Sequence, residues 1–322
     1  MTKILLTPRG FYNYGKNEIN KLKKAGIEVI ANDTGEKYDD NKFKELAKNA
    51  DGIIVGLDKI DQSLISQSTK LKAIVKFGVG LDNIDVEYAK KKKILIGKTI
   101  GSNTISVAEM VFGLILNSYR NISNSISLVE NNKWQKITGR ELNSKTIGII
   151  GYGNIGKQVE RIAHGFGMKV MVLAHDGHIS TTTSENGANT TYFVSKEKLL
   201  VNSDIVTLHL PLTQETNNFI GTNELKKMKK DSILINTSRG KIVNEKDLLS
   251  ALKNKKIYAA AMDVYSSEPP FWEEKIIQDL LATPNFYLTP HIASRTVEAE
   301  KKTIKISLME LLNLLKINSI HF

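Results

Sequence analysis

The sequence of 322 residues contains no cysteine, which excludes a disulfide framework, a thiol nucleophile and any metal site built on thiolates. Long hydrophobic runs are missing too, since no stretch approaches the roughly 18 to 20 apolar residues of a membrane-spanning helix. Residues 1–8 are predicted to begin a strand and lack the long apolar region and cleavage site of a secretory signal. We therefore expect a cytoplasmic protein with no membrane partner.

Acidic residues are fewer than basic ones, with 34 Asp and Glu against 45 Lys and Arg, and the formal net charge is +11. The lysines lie in short helical clusters and seldom alternate with aromatic residues, which predicts solvated helix faces and no nucleic-acid partner. The hydrophobic content of 41% is ordinary for a globular protein. A chain of this length is expected to form two domains.

Short apolar strands alternate with polar helical stretches along the chain. In the first hundred residues or so, buried parallel strands are predicted at residues 4–6, 27–30, 52–55, 73–75 and 94–96. The second half repeats the pattern near residues 146–150, 169–173, 204–210, 232–237, 259–264 and 286–289. The Ser-, Thr-, Asn- and Gly-rich stretch 177–191 is predicted as a surface loop. The alternation predicts an α/β protein with two doubly wound parallel sheets.

Two long helices are predicted, one over residues 102–129 and one over about 296–317. Their positions suggest that the chain crosses from the first domain to the second and later returns. The first domain would then be discontinuous, formed by residues 1–100 and 292–322, with residues 101–291 inserted as the second domain. We expect a cleft between them that receives the carboxyl ends of the strands, where open sheets bind ligands.

A glycine-rich turn follows the first strand predicted in the second half. Gly151, Gly153 and Gly156 have the G-x-G-x-x-G spacing, and a helical stretch follows directly, which is the context in which this motif binds a dinucleotide. Gly151 permits the tight turn, Gly153 lets backbone amides approach a pyrophosphate, and Gly156 lets the helix pack on the strand. The sequence therefore predicts a Rossmann domain, with Asn154 and Ile155 also at the cofactor.

Three charged side chains, Arg239, Glu268 and His291, each lie just after a predicted strand. Arg239 offers a planar fork for a carboxylate or carbonyl group. A histidine can exchange a proton near neutral pH, and a neighbouring Glu268 would favour the imidazolium and hold the ring. In a reduction that uses a dinucleotide, NAD(P)H would give a hydride, the histidine a proton, and the arginine would stabilise the charge that develops. A metal would be redundant in this chemistry.

Several motifs, in order along nearly the whole chain, resemble the D-isomer-specific 2-hydroxyacid dehydrogenase family. They are residues 77–85 (FGVGLDNID), residues 101–109 (GSNTISVAE), the glycine turn, residues 204–213 (DIVTLHLPLT) and the three segments with the charged side chains. The motifs are most similar to those of phosphoglycerate dehydrogenase and hydroxypyruvate reductase-like members. The resemblance implies hydride transfer between NAD(P)(H) and C2 of a small D-2-hydroxy acid or 2-keto acid, with D-3-phosphoglycerate, glyoxylate and hydroxypyruvate as candidates.

The resemblance also implies roles for single residues. His291 would be the general acid/base and Glu268 its partner, while Arg239 would bind the substrate carboxylate and polarise the C2 carbonyl. Backbone amides of the Val79–Gly80 loop would bind the same carboxylate, and Asn103 would support the substrate loop. His209, in contrast, lies within a strand motif and is expected to pack near the adenine groove.

For the cofactor, the resemblance places Asp263 at the nicotinamide carboxamide and Leu210, Pro211 and Thr237 along the groove. The family usually has an acidic residue at the position of Ala174 to bind the ribose hydroxyls, whereas here the acid is Asp176. A shift of two residues keeps a strand side chain on the same face, so Asp176 could still bind the ribose. This favours NAD, with NADP left open.

Three further points stay open. A homodimer is expected, and Trp134 could lie at its interface or pack within the local fold. The loop after the third strand contains only Lys59 where phosphoglycerate enzymes often carry arginines, so glyoxylate, hydroxypyruvate and phosphohydroxypyruvate remain alternatives. Since the family includes transcriptional corepressors that use the same fold, a nicotinamide-sensing binding protein is the alternative function.

Overall fold

A computed structural model describes residues 1–175, 178–183, 189–317 and 320–322. Contacts between Cα atoms divide the chain into two compact units. Unit 1 comprises Met1–Asn103 and Arg295–Phe322, and unit 2 comprises Thr104–Ser294.

Unit 1 is built on a parallel sheet of five strands in the described residues: β1 (Lys3–Leu6), β2 (Glu28–Ala31), β3 (Gly52–Val55), β4 (Ala73–Lys76) and β5 (Leu95–Lys98). Their order, β2-β1-β3-β4-β5, is that of flavodoxin-like folds. Its helices are α1 (Arg9–Tyr14), α2 (Lys16–Lys24), α3 (Asp40–Ala47), α4 (Gln62–Gln67), α5 (Val86–Lys91) and the last helix of the chain, α13 (Val297–Leu314).

Both faces of this sheet are covered. Leu308 and Leu311 of α13 pack with Ile4 and Val75 on one face, whereas Phe43 and Leu64 of α3 and α4 belong to the core on the other. Because both faces are buried, the central strands are apolar runs without alternation. The sequence could therefore predict them directly.

Unit 2 contains a sheet of eight strands in its described residues: β6 (Thr146–Ile150), β7 (Lys169–Leu173), β8 (Ser180–Thr183), β9 (Thr190–Val194), β10 (Ile205–Leu208), β11 (Ile233–Asn236), β12 (Ala259–Met262) and β13 (Phe286–Leu288). The order is β13-β12-β11-β10-β6-β7-β9-β8, in which only β8 is antiparallel to its neighbour. From β9 to β12 it contains the Rossmann strand order, with β6 first in sequence. The predicted fold class is therefore confirmed.

The helices of unit 2 are α6 (Thr104–Arg120), α7 (Ile122–Glu130), α8 (Asn154–Gly165), α9 (Lys196–Asn202), α10 (Thr222–Lys227), α11 (Glu245–Lys253) and α12 (Lys275–Leu281). The prediction of one continuous helix over residues 102–129 is wrong, because the helix is interrupted at Asn121. Asn121 has a left-handed φ of 52°, a conformation that asparagine tolerates better than most residues. The Asn117 side chain accepts hydrogen bonds from the backbone N–H (2.9 Å) and the hydroxyl (2.6 Å) of Ser123 across this break.

The surface loop predicted over residues 177–191 is also wrong in part. Residues 180–183 form β8, which pairs with β9, and β9 begins at Thr190. Threonine favours strands because of its branched Cβ, but β8 is exposed on both faces. It therefore lacks the apolar alternation by which a strand is recognised in sequence. Residues 177 and 184–188 of that stretch lie outside the described residues.

Candidate active site

The turn between β6 and α8 has the shape that the glycine motif predicts. Gly151 has a left-handed φ of 99°, and a Cβ there would lie 2.5 Å from the His209 carbonyl oxygen. A Cβ on Gly156 would collide with the Gly151 carbonyl. At Gly153, none of the described residues places an atom within 4 Å of such a Cβ. The space beside Gly153, at the N-terminus of α8, is therefore open, as a pyrophosphate bound at this helix end requires.

Other predicted cofactor residues follow β10, which pairs with β6, and β11, which pairs with β10. Leu210 and Pro211 follow β10, and Thr237 follows β11. Parallel strands end at one edge, so these residues share the edge of the glycine turn. The buried Oγ1 of Thr237 has no hydrogen-bond partner among the described residues, and a bound cofactor could supply one. These residues fit a dinucleotide, whereas the predicted ribose ligand, Asp176, lies outside the described residues.

The side chains of His291 and Glu268 form a hydrogen bond, with 2.5 Å between His291 Nδ1 and Glu268 Oε2. The other oxygen of Glu268 accepts a hydrogen bond from the backbone N–H of Tyr265 at 3.2 Å. Desolvation alone would raise the pKa of Glu268, but the bond to His291 and the charges of His291 and Arg239 outweigh it and lower the pKa. Glu268 is therefore a carboxylate that holds Nδ1 of the imidazole, and Nε2 is the nitrogen left for proton transfer.

Asp263 holds the backbone that carries His291. Its buried carboxylate accepts hydrogen bonds from the N–H groups of Ile292 (2.9 Å) and Ala293 (2.7 Å) and from the Thr289 hydroxyl (2.5 Å). The carbonyl oxygen of Asp263 accepts a further bond from the N–H of His291 at 2.9 Å. His291 has a left-handed φ of 53°, which a non-glycine residue keeps only where its surroundings hold it. Asp263 provides that support, and its contact with the nicotinamide carboxamide stays a prediction.

Arg239 lies between β11 and a single 3₁₀ turn, Gly240–Ile242. Its backbone carbonyl accepts a hydrogen bond from the Asn236 side chain at 2.9 Å, and its Nη1 donates to the Ser238 carbonyl at 2.7 Å. Its charge contributes to the lowered pKa of Glu268. Unit 2 thus brings together the three side chains predicted to carry the chemistry.

In unit 1, a buried lysine that the sequence analysis overlooked fixes the loop with Val79 and Gly80. Lys76 Nζ donates to the Gly56 carbonyl at 2.5 Å and to Asn83 Oδ1 at 2.6 Å. The amide of Asn83 donates in turn to the carbonyls of Gly56 (3.1 Å) and Asp58 (2.5 Å). The loop from Phe77 to Asn83 is therefore tied to the loop after β3. A lysine at the end of a buried apolar strand was the signal in the sequence.

The third residue predicted for the substrate, Asn103, is also in unit 1. Its side-chain Oδ1 is buried and has no hydrogen-bond partner among the described residues. An amide oxygen left in this state costs free energy unless a ligand or water satisfies it. Its predicted support of the substrate loop stays a prediction.

His209 differs from His291 in its surroundings. Desolvation lowers the pKa of His209 to about 3, so that its imidazole is neutral at physiological pH and cannot donate the proton for reduction. Its Nε2 lies 3.0 Å from the hydroxyl of Thr207. This agrees with the expected packing role. No group of three or more potential metal-ligating side chains occurs in the described ranges, and no helix there is long and apolar enough to cross a membrane.

Comparison with known proteins identifies the family. Residues 112–293 match the model of the D-isomer specific 2-hydroxyacid dehydrogenase, NAD binding domain. A hydroxypyruvate reductase of Thermotoga maritima is 36% identical over 292 residues, which are 90% of this chain and 91% of that protein. A D-3-phosphoglycerate dehydrogenase of Methanocaldococcus jannaschii is 37% identical over 94% of this chain, but this chain spans only 55% of it.

The likeness extends to structure. A glyoxylate reductase from Paecilomyes thermophila superposes with a TM-score of 0.81 at 28% identity, over 99% of this chain and 96% of that one. The two parallel sheets agree with the fold class that the sequence predicted. The chain therefore belongs to the D-isomer-specific 2-hydroxyacid dehydrogenase family and is an NAD(P)-dependent oxidoreductase.

Proposed function

We propose that this protein reduces glyoxylate or hydroxypyruvate with NADH, or oxidises the corresponding D-2-hydroxy acid. The observation that carries the proposal is the imidazole of His291, held by the Glu268 carboxylate beside the charge of Arg239. We assign unit 2 to the cofactor, because it contains the glycine turn, and unit 1 to the substrate.

The chain's own residues perform distinct tasks in the proposed reaction. Gly151–Gly156, Asp176, Leu210, Pro211, Thr237 and Asp263 would hold NADH, which would supply the hydride for C2. His291 donates the proton from Nε2 to the carbonyl oxygen, and Arg239 binds the substrate carboxylate and stabilises the charge on that oxygen. Glu268 stays ionised and stabilises the imidazolium before transfer. In unit 1, we propose that the amides of Val79 and Gly80 bind the carboxylate, with Asn103 supporting the loop.

Phosphohydroxypyruvate is the less favoured substrate. A phosphate group is best bound by several cationic side chains, and the loop after β3 offers only Lys59, which already lies 3.7 Å from the Asp61 carboxylate. The neighbouring Asp58 is buried and accepts a 2.5 Å hydrogen bond from Thr7, so it adds negative charge to this loop. Small uncharged groups at C3 suit this surface better.

A substrate panel tests the proposal. The initial rate of NADH oxidation would be measured with glyoxylate, hydroxypyruvate, phosphohydroxypyruvate and pyruvate. We expect the highest kcat/KM with glyoxylate or hydroxypyruvate. A clear preference for phosphohydroxypyruvate would contradict the substrate assignment. Tight NADH binding without turnover of any keto acid would favour the corepressor-like alternative, which none of the observations above supports.

Glu268→Gln tests the coupling between the carboxylate and the imidazole. The amide keeps the shape of the side chain but not its charge, so the imidazolium is less stable and loses its proton at lower pH. We expect the alkaline limb of the pH–rate profile for keto-acid reduction to move to lower pH. Glu273→Gln, at an exposed glutamate in the same loop, is the control. An unchanged profile in Glu268→Gln would show that the two groups are not coupled.

Cofactor preference is tested at Asp176. If this carboxylate binds the adenosine ribose hydroxyls, it also repels a 2′-phosphate, and the wild type prefers NADH to NADPH. Asp176→Ser should weaken NADH binding and relieve that repulsion, narrowing the ratio of the two kcat/KM values by about tenfold. Asp40→Ser, at an exposed position in unit 1, is the control. A wild type that prefers NADPH would instead indicate that Ala174 and His175 admit the phosphate.

We further propose a cytoplasmic homodimer. Within the described part of the chain, α7 buries none of its side chains, and Ile122, Ile126 and Val129 are exposed on it. Trp134, which follows α7, is 86% exposed. A second copy would remove this apolar surface from water. Light scattering should give the mass of two chains, and Ile126→Ser with Trp134→Ser should give that of one. A monomeric wild type would contradict the proposal.

A further inference from the structure

Glu245, the first residue of α11, makes contacts that the proposed reaction does not explain. Its two carboxylate oxygens accept hydrogen bonds from the backbone N–H of Ser266 at 2.8 Å and from the hydroxyl of Ser266 at 2.9 Å. Both polar donors of one residue are thus held by one carboxylate. This clamp, Glu245 with Ser266, joins two segments that are 21 residues apart in sequence.

The clamp lies between the segments that carry the reactive groups. On one side, Arg239 is followed by Gly240, whose Cα is packed so closely on the backbone of Tyr265 and Ser266 that a Cβ would collide with it. On the other side, the N–H of Tyr265 donates to Glu268 Oε1 at 3.2 Å, and Glu268 Oε2 holds His291. A path of direct contacts therefore leads from Glu245 through Ser266 and Tyr265 to the Glu268–His291 pair.

The anchor of this path is rigid. The Asn244 side chain caps α11 by accepting a hydrogen bond from the Asp247 N–H at 3.1 Å, and Leu248 and Leu252 bury the helix in the core. A carboxylate in the first turn also interacts favourably with the positive end of the helix. Removal from water and the nearby Glu274 work against the ionised form of Glu245, and the bonds from Ser266 compensate only in part, so its pKa is raised.

We infer that Glu245 is a positioning residue, which fixes the turn from Tyr265 to Glu268 and thereby sets the geometry of Glu268 against His291 and Arg239. The inference rests on the proposed function, in which the Glu268–His291 pair transfers the proton. Without the clamp, Ser266 loses both hydrogen bonds to α11, and the Tyr265 N–H orients the Glu268 carboxylate less well. Displacement of a reactive group by about 1 Å can cost 10²-fold in rate.

Three variants separate positioning from a general effect on stability. In Glu245→Ala both bonds to Ser266 are lost, and we expect kcat for glyoxylate reduction to fall about tenfold with an unchanged Kd for NADH. In Ser266→Ala the N–H bond remains, so the loss should be smaller. In Glu245→Gln the amide oxygen can accept from the N–H of Ser266 while the amide nitrogen donates to its hydroxyl, so kcat should recover to within about twofold of the wild type. Glu273→Ala is the matched control.

The alkaline limb of the pH–rate profile distinguishes positioning from a general loss of stability, because a general loss of stability would leave the pH of this limb unchanged. In Glu245→Ala it should shift in the direction expected for Glu268→Gln, and in Glu245→Gln it should not. An unmoved limb in Glu245→Ala, or a Gln variant as impaired as the Ala variant, would overturn the inference. If Glu245→Ala fails to fold, Ser266→Ala becomes the deciding variant. We then expect Ser266→Ala to lower kcat and to move the alkaline limb to lower pH. A pH–rate profile identical to that of the wild type would overturn the inference.

A measurement that needs no turnover keeps this test separate from the proposed function. In protein labelled at histidine, the NMR signal that disappears in His291→Asn reports protonation of that ring. We expect the pH of its transition to fall in Glu245→Ala but not in Glu245→Gln. If the wild type reduces no keto acid, the proposed function fails, and the NMR titration still tests the positioning of the pair.

Discussion

Replacing His291 with asparagine is expected to lower kcat for keto-acid reduction by about 10²- to 10⁴-fold, because the variant cannot donate the proton that the carbonyl oxygen requires. Asparagine is the substitution of choice since the backbone of His291 is left-handed, with a φ of 53°, and asparagine accepts that conformation at little cost. The loop held by Asp263 should therefore keep its shape. Initial rates at saturating glyoxylate and NADH measure the effect.

The cofactor provides the internal control for this variant. NADH affinity, measured by fluorescence titration, should stay close to that of the wild type, because the glycine turn and Thr237 are unchanged. His321→Asn, at an exposed histidine near the end of the chain, should leave both quantities unaltered. Near-normal turnover in His291→Asn would refute the role of His291 as the proton donor.

Replacing Arg239 is expected to have the second largest effect. Arg239→Gln removes the charge that binds the substrate carboxylate and stabilises the oxygen, and kcat/KM should fall by about 10²- to 10³-fold. Arg239→Lys keeps the charge but not the planar fork, so it should recover only part of the loss. Both variants should raise KM for the keto acid as well as lower kcat.

The exposed Arg161 of α8 supplies the matched control. Arg161→Lys should leave kcat/KM for the keto acid unchanged, and thermal unfolding should be similar in all three variants. Full activity in Arg239→Lys would show that a point charge suffices and that the substrate carboxylate is not bound by a bidentate contact. Full activity in Arg239→Gln would contradict any contact of Arg239 with the substrate.

Much of the fold and of the candidate site could be predicted from local patterns. Strands such as β3 and β11 are short apolar runs buried on both faces. Such a run can be recognised in the sequence even when the strands that pair with it are not known. The turn at Gly151 needs a left-handed φ and close approach to the His209 carbonyl. The glycine at this position of the motif indicates both requirements, because glycine has no Cβ. β8 escaped prediction because it is exposed on both faces and has no apolar alternation. The break at Asn121 escaped prediction because one left-handed residue does not interrupt the apolar periodicity of the sequence around it.

By itself, the sequence determined the type and order of most elements and which reactive side chains follow the strands, because apolar periodicity and turn chemistry are properties of neighbouring residues. Only the tertiary structure decided the partners of the polar groups that hold these side chains in place. Asp263 receives hydrogen bonds from residues 26 to 30 positions away, and Glu245 clamps Ser266 across 21. Such bonds depend on how distant segments are brought together by packing, and no residue type or spacing specifies them.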